Sequence, residues 1–342
     1  MAIATIFDVA KAAGVSIKTV SLVMNGHANV SEQTRARVLR VAEELHYTPS
    51  QSARSLAGSR SFLIALLYDN PIPSYITTVQ MGAVSFCRKN GYHLMSEPID
   101  SSMGDVDQHV TQLLTTLRPD GLILAPLVTD NVAVIERIEA FGTPYVRIAP
   151  GGDRERSPHV LMSDREAAAA MTQYLLDLGH REIGFVKGHD RHGAAHLRFD
   201  GYLSAMRAAG VAVPDDLITQ GDFSFQSGFE CAKILLARAP RPTAIFCSND
   251  EMALGVMSVA HREGLNVPRD LSIAGFDDAP SASVVWPPLT TIHQPIFEMA
   301  EAAAEMLIAK KSAQGAESAP PRSRTLAFSL VERESTAPPG GA

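Results

Sequence analysis

The sequence predicts an α/β protein: a small three-helix head and a short linking helix, followed by a two-lobed core of two doubly wound parallel sheets. Three observations predict it. Apolar residues between Ile6 and Leu45 recur at helical spacing, interrupted by a glycine corner. From Phe62 onward short apolar runs alternate with amphipathic stretches, the pattern of βα units whose strands are buried on both faces. That alternation occurs twice in tandem, which places a crevice between two sheets, beyond the C-terminal ends of their strands.

The head opens with Ile6–Asn25. Val9, Ala10 and Ala13 form the apolar stripe of one short helix, and Gly14-Val15 breaks it. Gly14 stands where a helix end takes positive φ. Ser16 can cap a second helix whose buried stripe is Val20, Val23 and Met24. Ile17, Lys18, Ser21 and Leu22 then face outward near the start of that helix. Two short helices across such a corner form a helix-turn-helix, which sends its second helix into the DNA major groove. Ser31 caps a third helix burying Val38, Val41, Ala42 and Leu45, with Arg35, Arg37 and Arg40 left to phosphate or to water. Thr48-Pro49 ends it, because a residue before proline avoids helical angles. Ser50–Ala57 has helix-forming composition but falls short of the roughly 12–15 residues at which a helix becomes even marginal in water. It is expected to be helical only when docked.

In the core, strands at Phe62–Tyr68, Tyr92–Ser96, Gly121–Ala125 and Tyr145–Ile148 alternate with helices at Ile76–Lys89, Asp105–Leu117 and Val132–Ala140. A second set takes strands His159–Met162, Ile183–Lys187, Ala244–Cys247 and Ser272–Ala274. Its helices are Arg165–Leu178, His196–Ala209, Ser227–Ala237 and Glu251–Arg262. Pro287–Ile292 reads as a crossover. Helix Pro295–Ala309 and one late strand, Thr325–Glu332, return the chain to the two sheets, with a Ser-, Ala- and Pro-rich loop at Lys311–Arg324. The expected division is a head at 1–48, a hinge at 49–60, a core at 61–335 and a disordered tail at 336–342. Within the core, one lobe takes 61–161 and 293–323, the other 162–292 and 324–335.

Charge is distributed to match. Residues 1–60 carry a net +3 and the remainder −10, a small basic head on an acidic body, which confines any nucleic-acid footprint to one end. Cys87, Cys231 and Cys247 are widely spaced within apolar segments and read as buried free thiols of a reducing compartment. No charged-then-apolar leader begins the sequence and no apolar run approaches spanning length, so a soluble cytoplasmic protein without membrane contact is expected. Neither a dinucleotide-binding glycine motif nor a P-loop occurs, so an enzyme is not expected. His180, His189, His192 and His196 lie close in sequence, but without metal-ligand spacing repeated across two elements they read as solvated loop histidines. No metal or cofactor is expected.

The wording and order of DVAKAAGVSIKTVSLVMN, YTPSQSARSLAGSRS, LGHREIGFVKG, SNDEMALGVM, GFDD and PPLTTIHQP resemble the lactose-repressor/galactose-repressor family of bacterial transcription regulators, from about Thr5 to Ser335. The resemblance implies a periplasmic-binding-protein-like core and a homodimer whose paired heads read a near-palindromic operator. It assigns base reading to Ile17, Lys18 and Leu22. Phosphate contacts and helix starts go to Thr5, Ser16, Thr19, Ser21, Asn25 and Ser31. Leu22 departs from the arginine common at its position. In the hinge, Leu56 matches the leucine that wedges between base pairs in the minor groove, and Ala53 permits close approach of two hinges. Ser50 stands where asparagine is usual. The chain ends in STAPPGGA, with no leucine heptad, so a dimer is expected rather than a tetramer.

For the crevice, the resemblance implies a small-molecule effector held by Ser74, Tyr75, Asp164, Arg198, Phe223, Asn249, Asp277 and Gln294. Arg198 acts as a forked donor, Asp277 and Asn249 bind hydroxyls, and Phe223 supplies an aromatic plate or core packing. An acidic and an amide side chain beside an aromatic ring suit a pyranose, and a mono- or disaccharide is chosen over a purine. The expected function is a repressor of a carbohydrate operon released from DNA by its sugar. The rival is a sugar-binding protein without DNA function.

Overall fold

The computed structural model describes residues 4–24, 29–47, 60–69, 72–100, 106–312 and 322–340. The expected hinge helix lies outside the described residues. The chain forms two units, Met1–Phe62 and Leu63–Ala342.

The first unit holds α1 (Ile6–Ala13), α2 (Ile17–Met24) and α3 (Glu32–Glu44). Val9, Ala10, Ala13, Val20, Val23, Val38, Val41 and Ala42 pack into one small core, with Val15 and Met24 against its rim. Gly14 ends α1 at φ 63°, the left-handed conformation that glycine takes without a Cβ penalty, and Val15 N–H reaches back to the Ala10 carbonyl at 3.1 Å. Leu45, expected inside, is 37% exposed. It follows the last turn of α3, where the helical stripe has already rotated away from the other two helices.

The second unit is a pair of sheets. The first is six-stranded and parallel: β1 (Leu63–Tyr68), β2 (His93–Pro98), β3 (Gly121–Leu124), β4 (Tyr145–Ile148), β5 (His159–Met162) and β11 (Ser323–Leu326), in spatial order β11-β5-β4-β3-β1-β2. Helices α4 (Pro73–Lys89) and α12 (Ile296–Ser312) cover one face, and α5 (Val106–Thr116) and α6 (Val132–Ala140) the other. Ile64, Ala65, Leu66 and Leu67 of β1 are therefore all buried, which is why that strand is a continuous apolar run.

The second sheet, also parallel, orders β7 (Ile218–Gln220), β6 (Ile183–Lys187), β8 (Ala244–Cys247) and β9 (Ser272–Ala274). On one face α7 (Asp164–Asp177) and α8 (Gly193–Ala208) bury Met171, Leu175, Tyr202 and Met206 against Phe185, Phe246 and Phe276. Helices α9 (Phe225–Leu236) and α10 (Asp250–Arg262) are the other packed pair. The three cysteines are buried and free.

Two expectations change at the C-terminus. The late strand is two strands: β11 completes the first sheet, while β12 (Ser329–Val331) pairs antiparallel with β10 (Thr291–His293). The chain must change lobes between them, and one straight strand cannot serve both sheets. The expected disordered tail is instead bonded along the edge of the second sheet. Ile273 N–H donates to Ser335 O at 2.8 Å, Ala337 N–H to Ser272 Oγ at 3.0 Å, and Tyr174 and Thr290 both meet the Thr336 hydroxyl at 2.9 Å. The unpaired edge groups of β9 supply partners that the Pro/Gly-rich composition did not announce.

Candidate functional site

In the head, the outward face of α2 carries the residues proposed to read bases. Ile17 and Lys18 are exposed, whereas Ser21 and Leu22 are half-buried. Ser16 Oγ accepts from Thr19 N–H at 3.1 Å and meets Thr19 Oγ1 at 2.9 Å, so this pair fixes the start of the helix. Ser31 likewise caps α3, accepting from Thr34 N–H at 3.3 Å. Thr5 donates to Asp8 Oδ2 from its N–H at 2.8 Å and from its hydroxyl at 2.7 Å. Those two bonds hold the Asp8 carboxyl below its ordinary range. Asn25, Ser50, Ala53 and Leu56 lie outside the described residues.

In the core, the loops that leave the C-terminal ends of the strands converge between the lobes, as open parallel sheets require. They border a small inner chamber, lined by Tyr75, His192, Arg198, Phe223, Asp277 and Gln294 among others. A wider chamber of about 630 Å3 shares Tyr75, Asp277 and Gln294 and adds Ser74, Asp278 and His293.

Arg198 is the centre of this arrangement. Its Nε donates to Asp164 Oδ1 at 2.8 Å, one terminal nitrogen to Ser248 O at 2.6 Å and, at a long 3.5 Å, to Asp277 Oδ1, and the other to Gln294 Oε1 at 3.1 Å. The guanidinium also lies over the Phe276 ring, 3.7 Å from its centroid. A guanidinium has five N–H donors, so these four bonds leave one for a ligand.

Asp164 is buried and Asp277 nearly so. Burial pushes the Asp164 carboxyl up, against the pull of Arg198. Burial, opposed by Arg198 and reinforced by Asp164, raises Asp277 to about 7. Asp277 sits at φ 109° immediately after the second sheet's edge strand. Asp250, which the sequence reading passed over, is also buried. It accepts from Thr291 Oγ1 at 2.6 Å and Ala279 N–H at 2.7 Å, and desolvation raises it strongly. The Tyr75 hydroxyl finds no partner among the described residues although it is buried, and burial pushes its ionisation further up.

Side-chain geometry gives Asn249 partners of its own and overturns the reading of two histidines as solvated. Asn249 is not among the lining residues of either chamber. Its Oδ1 caps α10 at Met252 N–H, 3.0 Å, and its Nδ2 donates to Phe223 O at 2.9 Å, so it acts by holding Phe223 in place at φ 75°. His192 is no solvated loop histidine. It is buried, its ring stands edge-on to Phe223 at 5.1 Å, and its Nδ1 accepts from Ala194 N–H at 3.2 Å to cap α8. Burial first, then Arg198 and neighbouring histidines, holds its pKa down to about 3. With Nδ1 accepting, the neutral ring carries its proton on Nε2. His180 is buried too, bonded to Thr243, Ser272 and Ala337 O. A Ser/Asp-like capping position just before an apolar helix was the available signal for His192; loop composition hid it.

Comparison with known proteins agrees along the chain. Residues 5–50 match the model described as bacterial regulatory proteins, lacI family, and residues 172–336 the periplasmic binding protein-like domain. The ribose operon repressor of Escherichia coli (strain K12) is 37% identical over 313 residues, covering 89% of this chain and 92% of the relative. The crystal structure of the lac repressor dimer bound to operator and the anti-inducer ONPF superposes with a TM-score of 0.81 at 29% identity, covering 98% of this chain and 99% of that one. A LacI family transcriptional regulator from Enterococcus faecium with bound ribose gives 0.69 at 26% identity, covering 81% and 99%. With head and core matched in the same order, this chain belongs to the lacI family of bacterial regulatory proteins, which are DNA-binding transcriptional regulators.

Proposed function

We propose that this protein is a homodimeric repressor of a carbohydrate-utilisation operon, released from a near-palindromic operator when a small neutral sugar fills the inner chamber. The observation that carries the ligand class is the state of Arg198. One guanidinium with a single N–H to spare stands among buried carboxylates, so a phosphate or carboxylate ligand finds repulsion and few donors. A hydroxyl-rich neutral ligand instead gives its O–H to Asp277 and accepts from Tyr75, whose hydroxyl has no partner among the described residues. The ribose named for one relative and one neighbour supports the same reading.

In this reading Ile17, Lys18 and Leu22 face base edges, the hinge over 49–60 couples head to core, and a second copy covers apolar groups on the core. Val284 and Trp286 are 82% and 74% exposed, on and just past α11 (Pro280–Val284), far more than isolated apolar side chains need to be. At that exposure Trp286 is not a core residue.

The test is an anisotropy titration of full-length protein on genomic fragments at several salt concentrations, with and without D-ribose. The expected result is sequence-selective binding that weakens with salt and is reversed by the sugar. Absence of selective binding overturns the regulator reading. Reversal by a purine base such as adenine, and by no saccharide, overturns the ligand class.

A further inference from the structure

Two glycines on opposite lobes stand so close that no side chain fits between them. Gly151 follows β4 in the first lobe, and Gly193 begins α8 in the second. A Cβ on Gly193 would lie 2.1 Å from the Gly151 Cα and 2.9 Å from its nitrogen. A Cβ on Gly151 would lie 2.5 Å from the Gly193 Cα. Neither residue has positive φ, so each backbone conformation accepts any L residue. The demand for glycine comes chiefly from the facing lobe, with Asp130 Oδ2 adding to it at 3.2 Å from the Gly151 Cβ position. Gly152, one residue on, has open space around its Cβ position.

Both sides of the contact are braced. Asp130 accepts from Gly151 N–H at 3.0 Å, fixing the loop after β4. His192 caps the helix that Gly193 opens, and its ring packs against Phe223 inside the inner chamber. Ala149 and Ala194, neighbours of the two glycines, line that chamber, whereas Gly151 and Gly193 themselves line an outer basin of about 780 Å3 with Arg191 and His196. The glycine contact is thus the wall between a small chamber and a large basin.

We propose that Gly151 and Gly193 form the seam on which the two lobes shut behind a ligand, and that this seam bars the ligand from the outer basin. The choice of sugar as probe rests on the sugar reading above; the seam does not. A closed seam leaves a ring no passage from the inner chamber to the basin. A ligand that reached into the basin would hold the lobes apart and forgo the contact.

The experiment uses full-length Gly193→Ala and Gly151→Ala, with Gly152→Ala as control. Alanine suits the first turn of a helix better than glycine, so Gly193→Ala is expected to fold and melt cooperatively. Hydrogen exchange by mass spectrometry is expected to be faster over residues 147–153 and 190–196 in both seam variants and unchanged in the control. Seam segments that exchange alike in all three proteins overturn the seam. Calorimetry then measures D-ribose on all four proteins. Apparent affinity scales with the fraction of closed protein, so a tenfold loss of closure weakens ribose by about tenfold in the seam variants. Ribose bound as tightly by both seam variants as by wild type overturns the seam's part in closure. If no saccharide binds while the seam variants still exchange faster, the sugar reading falls and the seam stands.

Discussion

Arg198 Nε and Asp164 Oδ1 lie 2.8 Å apart, and both side chains are nearly inaccessible to water. A buried pair of this kind adds little over a well-packed apolar pair, yet removing one partner strands the other. Arg198→Ala is therefore expected to destabilise the core by about 3–5 kcal/mol, read by urea denaturation, and to abolish any response to ligand. Arg198→Lys should not restore the ligand response, because a lysine cannot reach Asp164, Ser248 O and Gln294 together.

Asp277 gives stability a pH signature. Its folded pKa, about 7, lies above its ordinary 3.8, so the protonated carboxyl is the form the fold favours. Its contribution is complete below the unfolded value and is lost as pH rises through about 7. His192 acts oppositely: held down to about 3, it contributes above its unfolded value of 6.5 and loses that contribution as pH falls. The two overlap in mid-range, and so the informative quantity is a difference. Stability of wild type relative to Asp277→Asn is expected to fall between pH 4 and pH 8, measured by thermal melts in matched ionic strength. A flat difference removes Asp277 as the titrating group.

Lys18 stands exposed on the first turn of α2, beyond the Ser16–Thr19 cap. If it donates to a guanine, Lys18→Gln costs about 1–3 kcal/mol per half-site and relaxes preference at one base position. If it touches phosphate instead, affinity drops equally for all sequences and the salt slope shallows by roughly one. A competition binding series with single-base operator variants separates the two, and the base-reading outcome is the one expected.

The sequence has one tryptophan, and it is 74% exposed on the core surface. Burial against a second copy should shift its emission to shorter wavelength as concentration rises. Trp286→Arg should leave a folded core that sediments as a monomer. A tryptophan spectrum independent of concentration, with dimers still present, moves the interface elsewhere.

The alternation of apolar runs made most of both sheets legible, because parallel strands buried on two faces leave a continuous apolar run. His159–Met162, read with the second set, instead joins the first sheet, and three-residue β7 was too short to read as a run. Ser16, Ser31 and Gly14 were legible for a local reason: caps and positive φ are decided within a few residues. What stayed hidden was decided at long range. His192 packs edge-on to Phe223, thirty-one positions on, and Asn249 is tied to the carbonyl of that same Phe223. The bonded tail and the split of β11 from β12 follow from which sheet edges were left unpaired, and local composition carries no trace of that.

The strand that completes the first sheet, β11, pairs with β5 although some 160 residues, most of them of the second lobe, intervene, which a ribosome takes on the order of 10–30 s to add. For that interval His159–Met162 of the nascent chain presents a bare edge, the kind of surface that invites pairing with other chains. Biosynthesis of this protein should accordingly lean on chaperones that shield such an edge. Truncations anywhere before Ser323 should damage the N-terminal lobe as well as the C-terminal one, so the core cannot be cut into two independently expressed halves at the obvious lobe boundary.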